Sequence, residues 1–382
     1  MAKSDDKKTD KDKPEEEKKG KDRLSNLLAS ELFEKIAKKH GDGILMRMSD
    51  FKVQERPRIP TGIFSMDYAL GGGFPSGLAS TCYGNKSSGK TTTFLKAISN
   101  AQRMCSDCHK FMTDEAWGCR CKKAREFVVA YLDVEGTLDV PWAKSLGVNT
   151  EKMLISIPEY AEQTLDIAEA LVRSGEVDIL VLDSIAFLTP QKEIEESIEK
   201  DMMGVQARIV GRGIRKFIAA VNGVGNETGR RPTIFFTNQM RMKLGVMFGN
   251  PETQPGGNAP GFAAATETKL WAGKYEMDDG TKKPLNVEIN FRVEKNKTSG
   301  AKMEGTFKLL TSDMGGRKKG EVADEEQLID WGEKTGMVQR SGGYQCNGET
   351  FRVKADLEKR LALDPIFKMK LTHSVMPVLL AS

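Results

Sequence analysis

Four short runs in the middle of the chain are apolar without alternation: Ala79–Tyr83, Phe127–Asp133, Asp178–Asp183 and Thr233–Thr237. Such runs predict strands buried on both faces, as in a parallel sheet, rather than half-exposed strands with a period of two. The intervals between them carry helical spacing and read as right-handed crossovers. The fold class is α/β with a mainly parallel central sheet. Each strand delivers polar groups at its C-terminal end: a glycine-rich loop from Gly84, then Glu135, Asp183 and Asn238-Gln239. Ligands of open α/β sheets sit beyond that edge, so four separated motifs are expected to converge on one site.

Leu24, Leu27, Leu28, Leu32 and Ile36 recur at helical spacing and predict an amphipathic helix ending near His40. Gly41-Asp42-Gly43 and an extended stretch to Pro60 set it apart, so it either folds back on its own core or packs on a neighbour. Residues 1–23 mix Lys, Asp and Glu without a Leu, Ile, Val or aromatic residue, the composition of a disordered, solubilising tail. After residue 310 the strand pattern stops, and the lysine-bearing, glycine-rich stretch Gly315–Gly320 leads into mixed short elements. The expected organisation is a tail (1–23), a helix and linker (24–55), a core (56–311) with an insertion at 103–124, and a small α+β domain (312–382).

With 382 residues, 39% of them hydrophobic, the chain can bury one large core and smaller ones. No apolar run approaches a membrane span and the N-terminus is charged, so a cytoplasmic protein is expected. A net charge of +4 names no partner, and the three histidines (His40, His109, His373) argue against a histidine-centred hydrolase. Cys105, Cys108, Cys119 and Cys121 fall within seventeen residues, which suits a metal site in a reducing compartment better than a disulfide framework. Zn²⁺ on four soft ligands would fold a segment that has no core of its own. The second pair, Cys-x-Cys, is tight, which makes His109 an alternative ligand. Cys105 to His109 also reads as a C-x-x-C-H haem-attachment pattern, which would leave the second pair unexplained; reactive free thiols are the third reading.

Gly84-Asn-Lys-Ser-Ser-Gly-Lys-Thr91 is a complete G-x-x-x-x-G-K-[ST] phosphate loop between a predicted strand and helix. Gly84 and Gly89 leave the backbone amides free to wrap a polyphosphate, Lys90 supplies charge, and Thr91 a hydroxyl for Mg²⁺. The following helix aims its positive end at the same phosphates. Asp183 can hold Mg²⁺ through water opposite Thr91, or else cap the next segment. Glu135 can orient or deprotonate an attacking water, or be an ordinary surface glutamate. Trp142 can stack on a base or serve only as core. Gln239 opens the long segment 240–257, whose Arg241, Lys243 and closing Gly256-Gly257 suit a phosphodiester backbone. A γ-phosphate sensor joined to such a loop would couple nucleotide state to loop order.

Together these stretches resemble the bacterial RecA recombinases from about residue 24 to residue 310. Pro60-Thr-Gly-Ile-Phe-Ser-Met-Asp-Tyr-Ala-Leu-Gly71, Gly84–Thr92, Val177–Pro190 and Asn238–Asn258 carry the likeness in order and spacing. The resemblance implies a RecA-like P-loop ATPase core with an N-terminal polymerisation helix. Ser87, Ser88 and Thr92 then join the nucleotide contacts, Glu135 becomes the catalytic glutamate, and Asp139 and Trp142 hold adenine. Gln239 becomes the sensor, and Lys295 and Lys297 reach ATP from an adjacent subunit. Glu193–Gly204 resembles the first DNA loop, with Met203 as a wedge, Gly204 beside it, and Arg208 and Arg215 on phosphates. The second DNA loop would use Arg241, Lys243, Leu244, Gly256 and Gly257. The implied function is ATP- and Mg²⁺-dependent homologous recombination in DNA repair, by a helical filament on single-stranded DNA that pairs it with homologous double-stranded DNA. The alternative is a DNA-stimulated accessory ATPase, a loader or regulator without strand exchange.

Three features depart from the pattern. The cysteine insertion replaces a short helix-to-strand turn. Pro260-Gly261-Phe262 and Glu267 stand where basic residues are usual near the subunit interface, and the C-terminal part matches only loosely.

Overall fold

The computed structural model describes residues 25–27, 30–41, 44–45, 48, 56–113, 118–196, 204–228, 230–242, 252–299 and 303–381. It comprises two compact units, Met1–Glu55 and Arg56–Ser382. In the first, helix α1 (Glu31–His40) starts at Ser30, whose hydroxyl accepts the Phe33 N–H at 3.4 Å. Acidic residues fill its first turn and basic ones its last, as the helix dipole favours. The helix expected from Leu24 is thus capped afresh at Ser30, and none of the residues of α1 is buried. The tail expected over 1–23 lies outside the described residues.

The second unit is built on nine strands: β1 (Ala79–Gly84), β2 (Val129–Asp133), β3 (Met153–Ser156), β4 (Ile179–Asp183), β5 (Thr233–Gln239), β6 (Ala264–Met277), β7 (Pro284–Asn296), β8 (Glu304–Leu310) and β9 (Val322–Ala323). Their order is β9-β8-β7-β6-β1-β5-β4-β2-β3. From β6 to β3 all neighbours are parallel, and β7, β8 and β9 continue the sheet antiparallel.

Each central strand sends alternate residues to two separate cores. Tyr131, Val181 and Phe235 face one side, with α2 (Phe64–Leu70) and α3 (Lys90–Ala101); Leu132, Leu182 and Phe236 face the other. The second face is covered by α5 (Ala161–Arg173) and α6 (Val205–Thr228); the short α4 (Val140–Ser145) follows β2. On the first side Phe94 of α3 stacks on Phe235 with ring centroids 4.4 Å apart, and Phe74 tilts against both.

After β6 and its short lead-in helix α7 (Ala259–Ala263), the chain adds the β7–β9 edge. The segment 312–382, expected as a small α+β domain, lies within this unit and returns β9 to the main sheet. Its helices α8 (Glu325–Thr335), α9 (Lys354–Leu363) and α10 (Pro365–Ala381) enclose a third core around Leu328, Leu357 and Leu371. Phe64 of α2 is buried in that core, and its N–H donates to Asp324 at 2.9 Å.

The aromatic stack predicts the result of one substitution. Phe235→Ala should lower folding stability by about 3–5 kcal/mol, the cost of a large cavity in a fully packed core. Equilibrium denaturant unfolding measures it.

Candidate functional site

The four polar strand ends meet because β1, β5, β4 and β2 are consecutive neighbours in the sheet. Gly84 lies in register with Gln239, and Asp183 with Asp133. The phosphate loop leaves β1 at Gly84, where a Cβ would lie 2.0 Å from the Leu270 carbonyl oxygen of β6. At Gly89, with φ +88°, a Cβ would lie 2.7 Å from Ile289 of β7. Gly84 is therefore required by the close approach of the β6 backbone and Gly89 by its left-handed φ, besides any need to free the amides. Ser87 adopts φ +59° and Ser88 is buried. Lys90 donates to the carbonyl oxygens of Asn85 (2.7 Å) and Gly84 (3.3 Å). Burial lowers its ammonium, opposed by Asp183 and Glu135.

Asp183 is buried, and its carboxylate accepts three hydroxyls: Thr91 at 2.7 Å, Tyr131 at 2.5 Å, and Thr237. It joins the hydroxyl of Thr91, at the start of α3, to strands β2 and β5. Burial and the neighbouring carboxylate hold the Tyr131 hydroxyl well above its ordinary range, so it stays a donor. Ser184 donates to Glu135 at 2.8 Å. Asp133, which was not picked out from the sequence, accepts the N–H groups of Thr137 (3.2 Å) and Leu138 (2.9 Å), holding the turn that carries Glu135. Only its position beside Asp183 in the register reveals that part.

Asp139 accepts the Trp142 N–H at 2.9 Å and so caps α4. Trp142 packs against the first core, donates its indole N–H to Thr92 at 3.1 Å, and lies 5.1 Å beneath the Lys319 ammonium. It is both core and part of the rim beside the loop.

At the end of β5, Asn238 is buried and donates to Gln254 (3.2 Å) and to the Pro255 carbonyl (3.1 Å). Arg241-Met242 pairs with Glu252-Thr253, so both feet of the segment 243–251 are tied. Gly256 is buried under Ile185 and Val210 at φ +84°, which gives it a turn role; Gly257 is exposed beside Ala207 of α6. Gly204, Arg208, Arg215 and Arg241 are exposed. Met203, Lys243 and Leu244 lie outside the described residues, as does most of the first expected DNA loop.

The comparisons with known proteins point to one family. The RecA N-terminal domain family matches residues 28–314. The chain belongs to the RecA family. It is 39% identical to Protein RecA of Mycobacteroides abscessus over 311 residues, covering 81% of this chain and 79% of that protein. Protein RecA of Nautilia profundicola is 36% identical over 320 residues, 83% of this chain and 81% of the relative. The Francisella philomiragia protein is 37% identical over 311 residues, 81% and 76% of the two chains.

In this RecA-family core, Lys295 pairs across the ladder with Glu267, which itself lies opposite Thr81. Lys295 thus sits three residues back from Gly84 along β1, about 10 Å toward the opposite sheet edge. The Lys297 N–H donates to Ala265, farther back still. The departing segment is connected to this pair, since the Lys295 ammonium donates to the Gly261 carbonyl. Burial raises the Glu267 carboxyl against the pull of Lys295, and burial lowers Lys295 against the pull of Glu267.

The four cysteines come together without His109: their sulfurs lie within 4.8 Å of one another. Burial pushes the Cys105 thiol up, but the backbone N–H groups of Cys108, Arg125 and Asp107 outweigh it and bring it down to about 6. His109, the alternative ligand, instead bonds Ser76 through Nε2 at 2.8 Å.

Tyr131 supplies a test of the carboxylate shell. Tyr131→Phe should raise the Mg²⁺ concentration needed for half-maximal ATP hydrolysis about tenfold, the usual cost of losing an outer-shell partner. A magnesium titration of ATPase activity measures it, with Tm as the control for folding.

Proposed function

We propose that this RecA-family protein is an ATP-dependent homologous recombinase that forms a helical filament on single-stranded DNA and pairs it with homologous double-stranded DNA. The observation that carries the reading is the direct connection at β5. Gln239 lies beside the phosphate loop, while the adjacent Asn238 holds the end of the long basic loop. A change felt at the γ-phosphate position has one residue to cross before it reaches the DNA-facing segment.

Lys90, Thr91 and Asp183 would hold ATP with Mg²⁺, which would supply the phosphoryl group and a divalent charge. Lys90 exchanges the carbonyls of its own loop for phosphate oxygens. Asp183 keeps Thr91 oriented, and Ser184 keeps Glu135 aimed beyond the sheet edge, where the glutamate accepts a proton from the attacking water. Trp142 and Asp139 bound the base. Lys295 and Lys297 lie too far back along the sheet to serve their own phosphate loop, which supports their reaching the nucleotide of an adjacent subunit. An open head-to-tail filament has that geometry. The exposed Leu27 and Leu32 of the N-terminal unit suit docking on a neighbour.

Arg208, Arg215, Arg241 and Lys243 hold the strand by its backbone, so binding is independent of sequence and base pairing reads homology. The further cofactor is Zn²⁺ at Cys105, Cys108, Cys119 and Cys121. The setting is the cytoplasm, and no helix among the described residues is long and apolar enough to cross a membrane.

Single-stranded DNA should stimulate ATP hydrolysis, and the protein should form joint molecules with homologous duplex DNA. Stimulated hydrolysis without joint molecules would instead establish the accessory ATPase. Glu135→Gln should slow turnover about 10²–10⁴-fold while retaining ATP binding. Arg241→Ala with Lys243→Ala should weaken binding and flatten its salt slope by about 0.7 per lost phosphate contact. Fluorescence anisotropy across a salt series reads that slope.

A further inference from the structure

The segment between α3 and β2 is longer than a connection needs and sits at the edge of the sheet away from the phosphate loop. Cys105 and Cys108 flank a turn closed by the Cys105 N–H on Lys110 (2.9 Å) and the His109 N–H on Cys105 (2.7 Å), with His109 at φ +56°. The Cys119 N–H donates to Phe111 at 2.9 Å, and the Cys121 N–H points at the Cys119 sulfur at 3.4 Å. Two short turns are thereby held face to face, with Cys105 and Cys121 sulfurs 4.0 Å apart. A tetrahedron of Zn–S bonds of about 2.3 Å has edges of about 3.8 Å, so the cluster fits the metal with little movement.

What surrounds the cluster is equally specific. His109 bonds Ser76, whose hydroxyl lies 3.4 Å from that of Thr233 at the start of β5. Arg125 pairs in two-pronged fashion with Asp178, the residue before β4, and Asp178 also accepts the Val128 N–H at 2.9 Å. Asp107, between the first two cysteines, accepts from Arg125 at 3.3 Å and pairs with Arg230 at 3.8 Å. The segment therefore grips the chain just ahead of β1, β4 and β5, the strands whose far ends carry the phosphate loop, Asp183 and Gln239. It also continues directly from α3, the helix that starts at Lys90.

We propose that a single Zn²⁺ on Cys105, Cys108, Cys119 and Cys121 makes the 103–125 segment a clamp across the starting ends of β1, β4 and β5. Each bound thiol gives its proton to solvent, and no oxidation is involved. His109 and Arg125 are the jaws and the metal is the pin; the metal takes no part in ATP chemistry at the opposite edge. The clamp rests on the zinc assignment and is independent of the recombinase reading.

The test uses the full-length protein from zinc-supplemented culture, without ATP or DNA. Elemental analysis should give about one zinc per chain. Stripping it with a thiol-reactive mercurial, then removing the mercurial with excess reductant and chelator, should lower Tm by about 5 °C or more. It should also open trypsin sites at Lys110, Arg120, Lys122 and Lys123, and zinc added back should close them. Arg125→Ala should keep its zinc yet show the same new cleavages, because a jaw is lost while the pin remains. Folded protein with four reduced thiols and no zinc would overturn the metal site. Zinc that can be removed with no change in Tm or trypsin pattern would overturn the clamp. Because neither readout depends on turnover, failure of ATPase or joint-molecule assays leaves this result standing, and the reverse holds too.

Discussion

A buried carboxylate has to be supplied with donors, and Asp183 draws its three from three separate places: the first turn of α3, the middle of β2 and the end of β5. Each donor arrives only if its segment is in the right register. A slip of β2 by one residue would turn Tyr131 to the other core and leave a charged oxygen short of a partner. The phosphate-loop helix, the strand carrying Glu135 and the strand carrying Gln239 are thus mutually fixed through one side chain. Hydrophobic packing sets the layers, and this polar node sets how they are aligned.

In the parallel half, β1, β2, β4 and β5 were legible because they are buried on both faces and read as unbroken apolar runs, whereas the partly exposed edge strand β3 was missed. The strand-end residues were legible because a glycine-rich loop and isolated carboxylates stand out directly after such runs. β6 to β9 escaped for the opposite reason: β7 alternates buried with partly buried positions, and β9 is two residues long. Tyr131 and Asp133 were hidden inside and at the end of β2, where each looks like ordinary sheet composition. Their roles arise from register, which no single strand encodes. Trp142 offered two readings in the sequence, base stacking or core, and the structure packs it against the first core with its indole N–H on Thr92. The family resemblance added Asp139, Lys295 and Lys297, which periodicity alone would not have singled out. Residues 25–27 are helical, in line with the leucine spacing, but that spacing carries through Ser30, which the backbone uses as the cap of α1.

The departures from the family pattern share a location. The cysteine segment, the Glu267–Lys295 pair and the Gly261 carbonyl all lie back from the phosphate-loop edge of the sheet. The phosphate-loop sequence motif lies at the opposite edge, away from these departures. The half-buried Lys295 and Glu267 pull on one another's charge across the ladder.

The long loop after β5 has both feet fastened, at Arg241-Met242 against Glu252-Thr253 and at Asn238 against Pro255. Closing a loop costs entropy that grows only with the logarithm of its length, and here the folded core has already met that cost. Residues inserted between the feet add little more, roughly 0.6 kcal/mol for each doubling of length. The fastened ends have no such latitude, because they share their hydrogen bonds with the strand beside the phosphate loop. Variation in length and sequence is therefore cheap within the span and expensive at its anchors, so this loop can be lengthened or regrafted as a unit if Asn238, Gln254 and Pro255 are kept.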